Sequence, residues 1–184
     1  CIRDSSPTLY SYRGRMEVSG SRISREDFAA YITQVSDVIA AMTKDGYPHP
    51  TAFEIETAVA FLFFKKENCD LVLLEVGMGG NLDATNIIKN TLLAVLVSIS
   101  MDHMSFLGNT LAQIAEKKAG IIKDGCRVVT ARQKPEAMQV IERISREHGA
   151  KCTIADASEA EVLKESCFGQ TIRYRGEEYE IPLA

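Results

Sequence analysis

Short apolar runs alternate along this chain with segments of helical periodicity, and this alternation limits the fold more than any other feature. Residues 70–76 (DLVLLEV) and 91–100 (TLLAVLVSIS) are nearly continuous apolar runs, as expected for strands covered on both faces of a parallel sheet. Residues 127–131 predict a further strand, and residues 168–182 alternate about a central Arg-Gly turn, which predicts a β-hairpin. The sequence therefore predicts an α/β fold, with a mostly parallel sheet flanked by helices and a C-terminal β-hairpin.

The helical segments carry their own start signals. Ser24 precedes an acidic first turn and a run of apolar residues at helical spacing, so it is a candidate N-cap. Thr51 is followed three residues later by Glu54, which is the capping-box pattern. Thr110 opens a third helix, and residues 135–149 predict a fourth, with proline at its first position.

Composition excludes several classes of protein. The net charge of -4, without a dense run of Lys or Arg, argues against binding to nucleic acid or to an anionic membrane. The apolar runs are too short to span a bilayer. The five cysteines are odd in number and scattered, which argues against a disulfide framework and favours reduced thiols. A cytoplasmic protein without a membrane or nucleic-acid partner is expected.

Charged residues follow two of the predicted strands. Glu75 ends the first apolar run, and Asp102 and His103 follow the second. Ligands collect at the carboxyl ends of parallel strands, so Glu75 and His103 can converge if the strands are neighbours. A carboxylate and an imidazole together suit a divalent cation, with magnesium, manganese and zinc all open. The competing interpretation is a pair of surface or helix-capping groups, with the glycines of residues 77–80 forming only a tight turn.

Four motifs in order resemble one enzyme family. They are SSPTLYSYRGRMEVSG (5–20), PTAFEIETAVAFLFF (50–64), LLEVGMGGNLDATNII (73–88) and SISMDHMSFLGNTLAQIAEKKAGIIK (98–123). They resemble folylpolyglutamate synthase and dihydrofolate synthase, the folate branch of the Mur ligase superfamily. The resemblance covers most of the chain from Ser6 to about Lys151.

The resemblance implies an ATP-dependent amide ligase of folate biosynthesis and one-carbon metabolism. Such an enzyme joins L-glutamate to a pteroate or folate carboxylate through an acyl phosphate, using Mg2+ and releasing ADP and phosphate. Its implied partners are ATP, L-glutamate and dihydropteroate or folate, and a monomer is expected. The implied fold is the central ATPase domain of the Mur ligases, which is similar to P-loop NTPases.

The resemblance also implies residue roles. Glu75, His103 and Ser6 would hold magnesium, and Lys118 matches a lysine that is carbamylated in the family and so becomes an anionic metal ligand. Lys118, His103 and Glu75 are thereby the candidate catalytic residues. Judged without the family, Lys118 is instead a solvated cation in the last turn of a helix, where it suits the helix dipole.

Four further residues match positions that line the pterin pocket in the family: Thr51, Phe53, Asp83 and Ala84. Phe53 would offer an apolar face to the pterin ring, and Asp83 would accept hydrogen bonds from its N–H groups. The alternative makes Phe53 a core residue and Asp83 a turn former. Arg15 matches an arginine of the family whose role the sequence does not indicate.

The sequence departs from the family pattern in several places. Thr8, Gly14 and Asn81 replace residues usual in the family, namely histidine, glutamate and arginine. No G-x-x-x-x-G-K-[ST] motif occurs, so no residue is assigned to the nucleotide phosphates. Residues 1–184 are therefore expected to be part of the central domain, with the P-loop segment and the C-terminal glutamate-ligase domain absent from this chain, and to be inactive alone.

Two alternatives stay open at this point. One is another Mur-type amide ligase, such as a peptidoglycan enzyme, with the same metal chemistry and a different acceptor. The other is a non-catalytic α/β module that binds a metabolite, which the missing phosphate loop would favour.

Overall fold

The computed structural model describes the backbone of residues 2–3 and residues 11–182. The chain divides into two compact units, Cys1–Lys89 and Asn90–Ala184. No helix in the described part of the chain is both long and apolar enough to span a membrane. Assignment of residues 1–184 to a single central domain remains a prediction.

The first unit contains a four-stranded sheet and two helices. The strands are β1 (Ile2–Arg3), β2 (Met16–Val18), β3 (Ser21–Arg22) and β4 (Leu73–Leu74), and the helices are α1 (Arg25–Lys44) and α2 (Ala52–Lys66). The strand order is β3-β2-β1-β4, with β1 parallel to β4 and antiparallel to β2.

Both helices of this unit begin at the predicted N-caps. The Ser24 hydroxyl accepts the Asp27 N–H at 2.9 Å. The Thr51 hydroxyl accepts the Glu54 N–H at 3.3 Å, and the Glu54 carboxylate accepts the Thr51 N–H at 2.7 Å, which completes the capping box. The Thr51 backbone N–H and then its hydroxyl hold the pKa of Glu54 below its ordinary value, because both stabilise the carboxylate.

The core of the first unit lies between the helices and the sheet. Its buried apolar residues are Met16, Ile23, Val59, Ala60, Phe63 and Phe64. The amphipathic stripe predicted for α1 is buried only in part, since Val38 and Met42 are exposed. Helical periodicity shows which side of a helix is apolar, but the buried length depends on what packs against it.

The second unit combines a parallel and an antiparallel sheet. The strands are β5 (Leu93–Leu96), β6 (Arg127–Ala131), β7 (Lys151–Ala155), β8 (Ala160–Ser166), β9 (Gly169–Tyr174) and β10 (Glu177–Pro182), and the helices are α3 (Met104–Leu107), α4 (Leu111–Ala119) and α5 (Pro135–Glu147). The parallel sheet has the order β5-β6-β7. The antiparallel sheet is a meander of β8, β9 and β10 in which β9 is central. The predicted α/β class is confirmed.

The predicted C-terminal hairpin is confirmed as β9 and β10. Arg175 and Gly176 form its two-residue turn, with φ of 52° and 88°, and positive φ at both positions matches the twist of the flanking strands. The adjoining strand β8 is absent from the sequence prediction. An ion pair joins β8 to β9, because Arg173 of β9 binds Glu161 of β8 at 3.0 Å. Arg173 also binds Glu178 of β10 at 2.8 Å.

The core of the second unit lies on one side of the parallel sheet. Its buried residues include Ala94 and Leu96 of β5, Val128 of β6, and apolar residues of α4 and α5. Leu93 and Val95, on the other face of β5, are exposed. The prediction that this strand is covered on both faces is therefore wrong for β5, whose burial alternates with period two.

The cysteines follow the expectation of reduced thiols only in part. Cys126, Cys152 and Cys167 are free, whereas Cys69 is disulfide-bonded. The expectation is therefore wrong for Cys69. Spacing alone did not indicate this bond, because disulfide pairing depends on spatial approach.

An exposed ion pair predicts an unusual acid titration in the second unit. Arg132 binds the Asp156 carboxylate through Nε at 3.0 Å, and the Ser158 N–H and hydroxyl bind its other oxygen. These contacts, that of Arg132 most strongly, lower the pKa of Asp156 to about 2. The stabilisation is present above the unfolded-state pKa of roughly 3.9 and is lost as pH falls towards 2.

We expect Arg132→Gln to raise the pKa of Asp156 part of the way to its ordinary value, because the Ser158 donors remain. NMR titration of the Asp156 carboxyl carbon measures this directly. The matched control is Arg146→Gln, which removes an exposed arginine of α5 and should leave the titration unchanged. An unshifted pKa in Arg132→Gln would contradict the assignment.

Candidate functional site

The predicted site residues are divided between the two units. Thr51, Phe53, Glu75, Asp83 and Ala84 lie in the first unit, and His103 and Lys118 lie in the second. Ser6, the remaining predicted metal ligand, lies outside the described residues, as does Thr8. Each unit therefore carries its own part of the candidate site.

Asp83 is the centre of the loop that follows β4. Its Oδ2 accepts the N–H groups of Gly77 at 3.0 Å and Met78 at 2.9 Å. Its Oδ1 accepts the N–H of Thr85 at 2.9 Å and the Thr85 hydroxyl at 2.5 Å. Four donors match the roughly four lone-pair positions of a carboxylate, so the loop already engages both oxygens of this side chain.

Gly77 brings this loop against α2. A Cβ atom at Gly77 would lie 2.5 Å from Cζ of Phe53, closer than two carbon atoms can approach. The Phe53 ring therefore occupies the space that a side chain at position 77 would need. Close packing explains this glycine of the GMGG segment, whereas Gly79 has a positive φ of 75° and serves the turn itself.

We expect Gly77→Ala to destabilise the 184-residue chain by about 1–3 kcal/mol, because the added methyl must displace the Phe53 ring or the loop. Urea denaturation measures the change. Gly14→Ala is the matched control, since its added Cβ would have no heavy atom nearer than 4.0 Å. Equal stabilities for the two variants would contradict the contact.

A groove of about 430 Å³ lies between α2 and the loop. Asp83 and Ala84 are among its lining residues, whereas Thr51 and Phe53 precede its lining residues on α2, and the assignment of all four to an acceptor pocket remains a prediction. The other lining residues are Glu54, Thr57, Ala58, Phe61, Asn81, Leu82, Asn86 and Ile87. Helical spacing in the sequence predicts that the α2 residues lie together, because Glu54, Thr57, Ala58 and Phe61 share one helical face.

Arg15 makes a partly buried ion pair with α2. Its Nη1 lies 2.6 Å from Oε2 of Glu56, and the two side chains are only 16% and 8% exposed. The guanidinium carbon also lies 5.4 Å from the centre of the Tyr12 ring. Nε of Arg15 is buried and has no hydrogen-bond acceptor within the described ranges. This arginine therefore joins the short 3-10 helix Tyr12–Arg15 to the helix that lines the groove.

His103 lies in an unusual backbone conformation after β5. Its φ of 48° and ψ of 40° are left-handed, and its N–H donates to Oδ1 of Asp102 at 2.8 Å. Its carbonyl accepts the N–H groups of Phe106 and Leu107. The imidazole is 61% exposed, and its Nε2 lies 3.7 Å from Oδ2 of the exposed Asp102 carboxylate. Positive φ is uncommon for non-glycine residues, although histidine adopts it more readily than most, and Arg175 adopts it in the hairpin turn.

Lys118 lies in the last turn of α4 and is half-buried. The backbone nitrogen of Ile121, just after the helix, lies 3.5 Å from the carbonyl oxygen of Lys118. This position is compatible with the interaction between a cation and the helix dipole. It leaves the family-derived metal role of Lys118 as a prediction.

The donors fit a divalent cation in kind. Glu75 supplies carboxylate oxygen and His103 supplies imidazole nitrogen, and both residues are exposed. Over residues 2–3 and 11–182, no three or more His, Cys, Asp and Glu side chains are grouped so as to hold a metal ion. The metal site predicted from the sequence therefore remains a prediction.

Comparison with known proteins supports the resemblance carried by the motifs. A dihydrofolate synthase/folylpolyglutamate synthase of Bacillus subtilis (strain 168) is 44% identical over 147 residues, which are 79% of this chain and 34% of that protein. A Mycobacterium tuberculosis folylpolyglutamate synthase complexed with ADP and AMPPCP matches 92% of this chain and 40% of its own, at 35% identity and a TM-score of 0.80. An FPGS–AMPPCP–folate complex matches 99% of this chain and 46% of its own, at 27% identity and a TM-score of 0.85.

This chain spans less than half of the length of these proteins. The shared segment covers 34% of the Bacillus protein and 46% of the protein in the folate complex. The family model described as the Mur ligase middle domain matches residues 24–184, which is most of the chain. The chain belongs to the Mur ligase middle-domain family.

Proposed function

We propose that this chain is the metal- and acceptor-binding part of an ATP-dependent ligase that adds L-glutamate to a pteroate or folate carboxylate. The observation that carries the proposal is the groove beside α2, because Asp83 and Ala84, which the motif resemblance assigns to the acceptor pocket, line it. The relatives named as folylpolyglutamate synthases support the same acceptor class.

The groove offers suitable chemistry for a flat heteroaromatic acceptor. The groove is a shallow surface depression of about 430 Å³. Phe61, Leu82 and Ile87 provide apolar contact, and Asn81 and Asn86 provide amide donors and acceptors at the rim. Thr51 and Phe53, at the start of α2, extend the acceptor-binding surface in this proposal.

In the proposed enzyme, the residues that would hold Mg2+ are those that the motif resemblance assigns to it, namely Ser6, Glu75, His103 and carbamylated Lys118. When bound there, the ion would supply charge neutralisation for phosphoryl transfer from ATP to the acceptor carboxylate. Glu75 and His103 would serve as oxygen and nitrogen donors, and His103 has a left-handed backbone conformation. Lys118, His103 and Glu75 are thus the residues proposed to act in catalysis.

The proposal assigns the remaining functions to other parts of a longer protein. Relatives extend well beyond the shared segment, and this chain contains no G-x-x-x-x-G-K-[ST] motif to hold nucleotide phosphates. We therefore propose that residues 1–184 form part of a central domain and need a P-loop segment and a glutamate-binding domain for ligation. The complete ligase is proposed to act as a cytoplasmic monomer.

Ligation by the full-length protein tests the function. We expect ATP-dependent incorporation of radiolabelled glutamate into dihydropteroate or tetrahydrofolate, with stoichiometric phosphate release, and no incorporation by the 184-residue chain alone. Activity of the isolated chain would contradict the division of functions. Phosphate release with a peptidoglycan precursor and not with folates would indicate another Mur-type ligase. Folate binding without ATP turnover would indicate a non-catalytic binding module.

A further inference from the structure

Gln133 makes a two-point contact with the chain that leaves β5. Its Oε1 accepts the Ile99 N–H at 2.9 Å, and its Nε2 donates to the Val97 carbonyl at 2.8 Å. Nε2 also lies 3.2 Å from the hydroxyl oxygen of Thr130, a fully buried residue. The amide thus bonds to backbone groups on both sides of Ser98.

This contact takes the place of a strand neighbour. β5 pairs with β6 as far as Leu96 and Thr130, and the ladder ends there. Val97 is exposed and Ile99 is buried, so the bond to the Ile99 N–H supplies a partner for a peptide group that solvent reaches poorly, whereas the bond to the Val97 carbonyl lies at the surface. The Gln133 amide presents one acceptor and one donor to residues 97 and 99, as the peptide group of an adjoining strand would. Two bonds at separate points fix both the position and the rotation of the segment.

The segment held by Gln133 leads directly to His103. Ile99, which precedes His103, is buried, and Leu107, which follows it, is also buried. His103 itself has a left-handed conformation. Between Ile99 and Leu107, the Asp102 N–H donates to the Ser100 carbonyl at 2.9 Å. The strained backbone of His103 is therefore enclosed between two fixed points, one of which is the Gln133 contact.

We propose that Gln133 is a positioning residue that fixes the loop after β5 and thereby directs the His103 imidazole towards the cation. The statement about the cation rests on the proposed function, whereas the statement about loop geometry does not. Gln133 touches neither substrate nor metal in this proposal. Its effect passes through the backbone of residues 97–103, in the way that outer groups orient metal ligands.

Two variants and one control test the loop geometry in the 184-residue chain. Gln133→Met removes both bonds at nearly constant volume, and Gln133→Glu keeps an acceptor for Ile99 but places an anion against the Val97 carbonyl. Gln139→Met makes the same change at an exposed position of α5. We expect roughly fivefold or greater acceleration of Ile99 amide exchange in Gln133→Met, and loss of the strong intraresidue HN–Hα NOE that positive φ gives His103. Wild-type NMR behaviour in Gln133→Met would overturn the positioning role.

The full-length protein tests the consequence for the metal. We expect Gln133→Met to raise the Mg2+ concentration for half-maximal glutamate ligation about tenfold, as loss of an outer-sphere contact typically does, with the acceptor KM unchanged. Gln139→Met should match wild type in both assays. A changed loop with wild-type Mg2+ dependence would overturn the effect on the cation. A wild-type protein without ligase activity would refute the proposed function, and the NMR result would still decide the loop geometry.

Discussion

Replacing Glu56 with Leu is expected to lower the free energy of unfolding of the chain by about 3 kcal/mol, the lower end of the cost of breaking a buried pair, since it leaves the partly buried Arg15 charge without its partner. The reason is desolvation. The guanidinium is only 16% exposed, its Nη1 lies 2.6 Å from the Glu56 carboxylate, and water cannot replace that contact in full. Urea denaturation at neutral pH, followed by circular dichroism, measures the change.

The double variant separates the ion pair from packing. Arg15→Met combined with Glu56→Leu removes both charges, so we expect it to recover most of the stability lost in Glu56→Leu. The exposed pair Arg143 and Glu147 on α5 is the matched control, and Glu147→Leu should cost no more than about 0.5 kcal/mol. Additive effects of the two substitutions at positions 15 and 56 would show that the charges are not coupled.

This pair also shows what sequence reasoning can and cannot supply. Glu56 lies in helical phase with Val59, Ala60 and Phe63, which are buried, so the pattern contains a carboxylate on the core face of α2. That signal predicts a buried charge that needs a partner. It does not predict Arg15, because the pairing joins residues that are 41 positions apart.

The helix starts were predictable because their determinants are local. Ser24 and Thr51 each bond to an N–H three residues later, a relation that spacing alone reveals. The strands β7 and β8 were missed because their apolar residues are few and their stability comes from neighbours. β7 pairs with β6, and β8 pairs with β9 across a register irregularity.

The residues of the candidate site also differ in whether local sequence or tertiary contacts reveal them. The motifs indicated Asp83, and the structure adds that its carboxylate binds four donors of its own loop. Gln133 had no comparable signal, since its partners at Val97 and Ile99 lie more than thirty residues earlier in the chain. Residues that touch a ligand often stand in recognisable motifs, whereas residues that position them depend on tertiary contacts.

Substitution of Glu75 or His103 by Ala in the full-length protein is expected to reduce ligase turnover by about 10²–10⁴-fold, because each removes a proposed donor to the cation that neutralises the transferred phosphoryl group. Initial rates of phosphate release, measured against Mg2+ concentration, give both maximal turnover and the concentration for half-maximal activity. We expect both quantities to worsen. A change confined to the acceptor KM would point to a substrate contact.

Glu67→Ala is the matched control for Glu75, because it removes an exposed carboxylate at the end of α2 in the same unit. It should leave turnover and Mg2+ dependence at wild-type values. Circular dichroism of each variant separates loss of catalysis from loss of folding. Near-normal turnover of Glu75→Ala at limiting Mg2+ would remove Glu75 from the metal site. The same result for His103→Ala would leave the left-handed loop, and the Gln133 contact that holds it, without a role in metal binding.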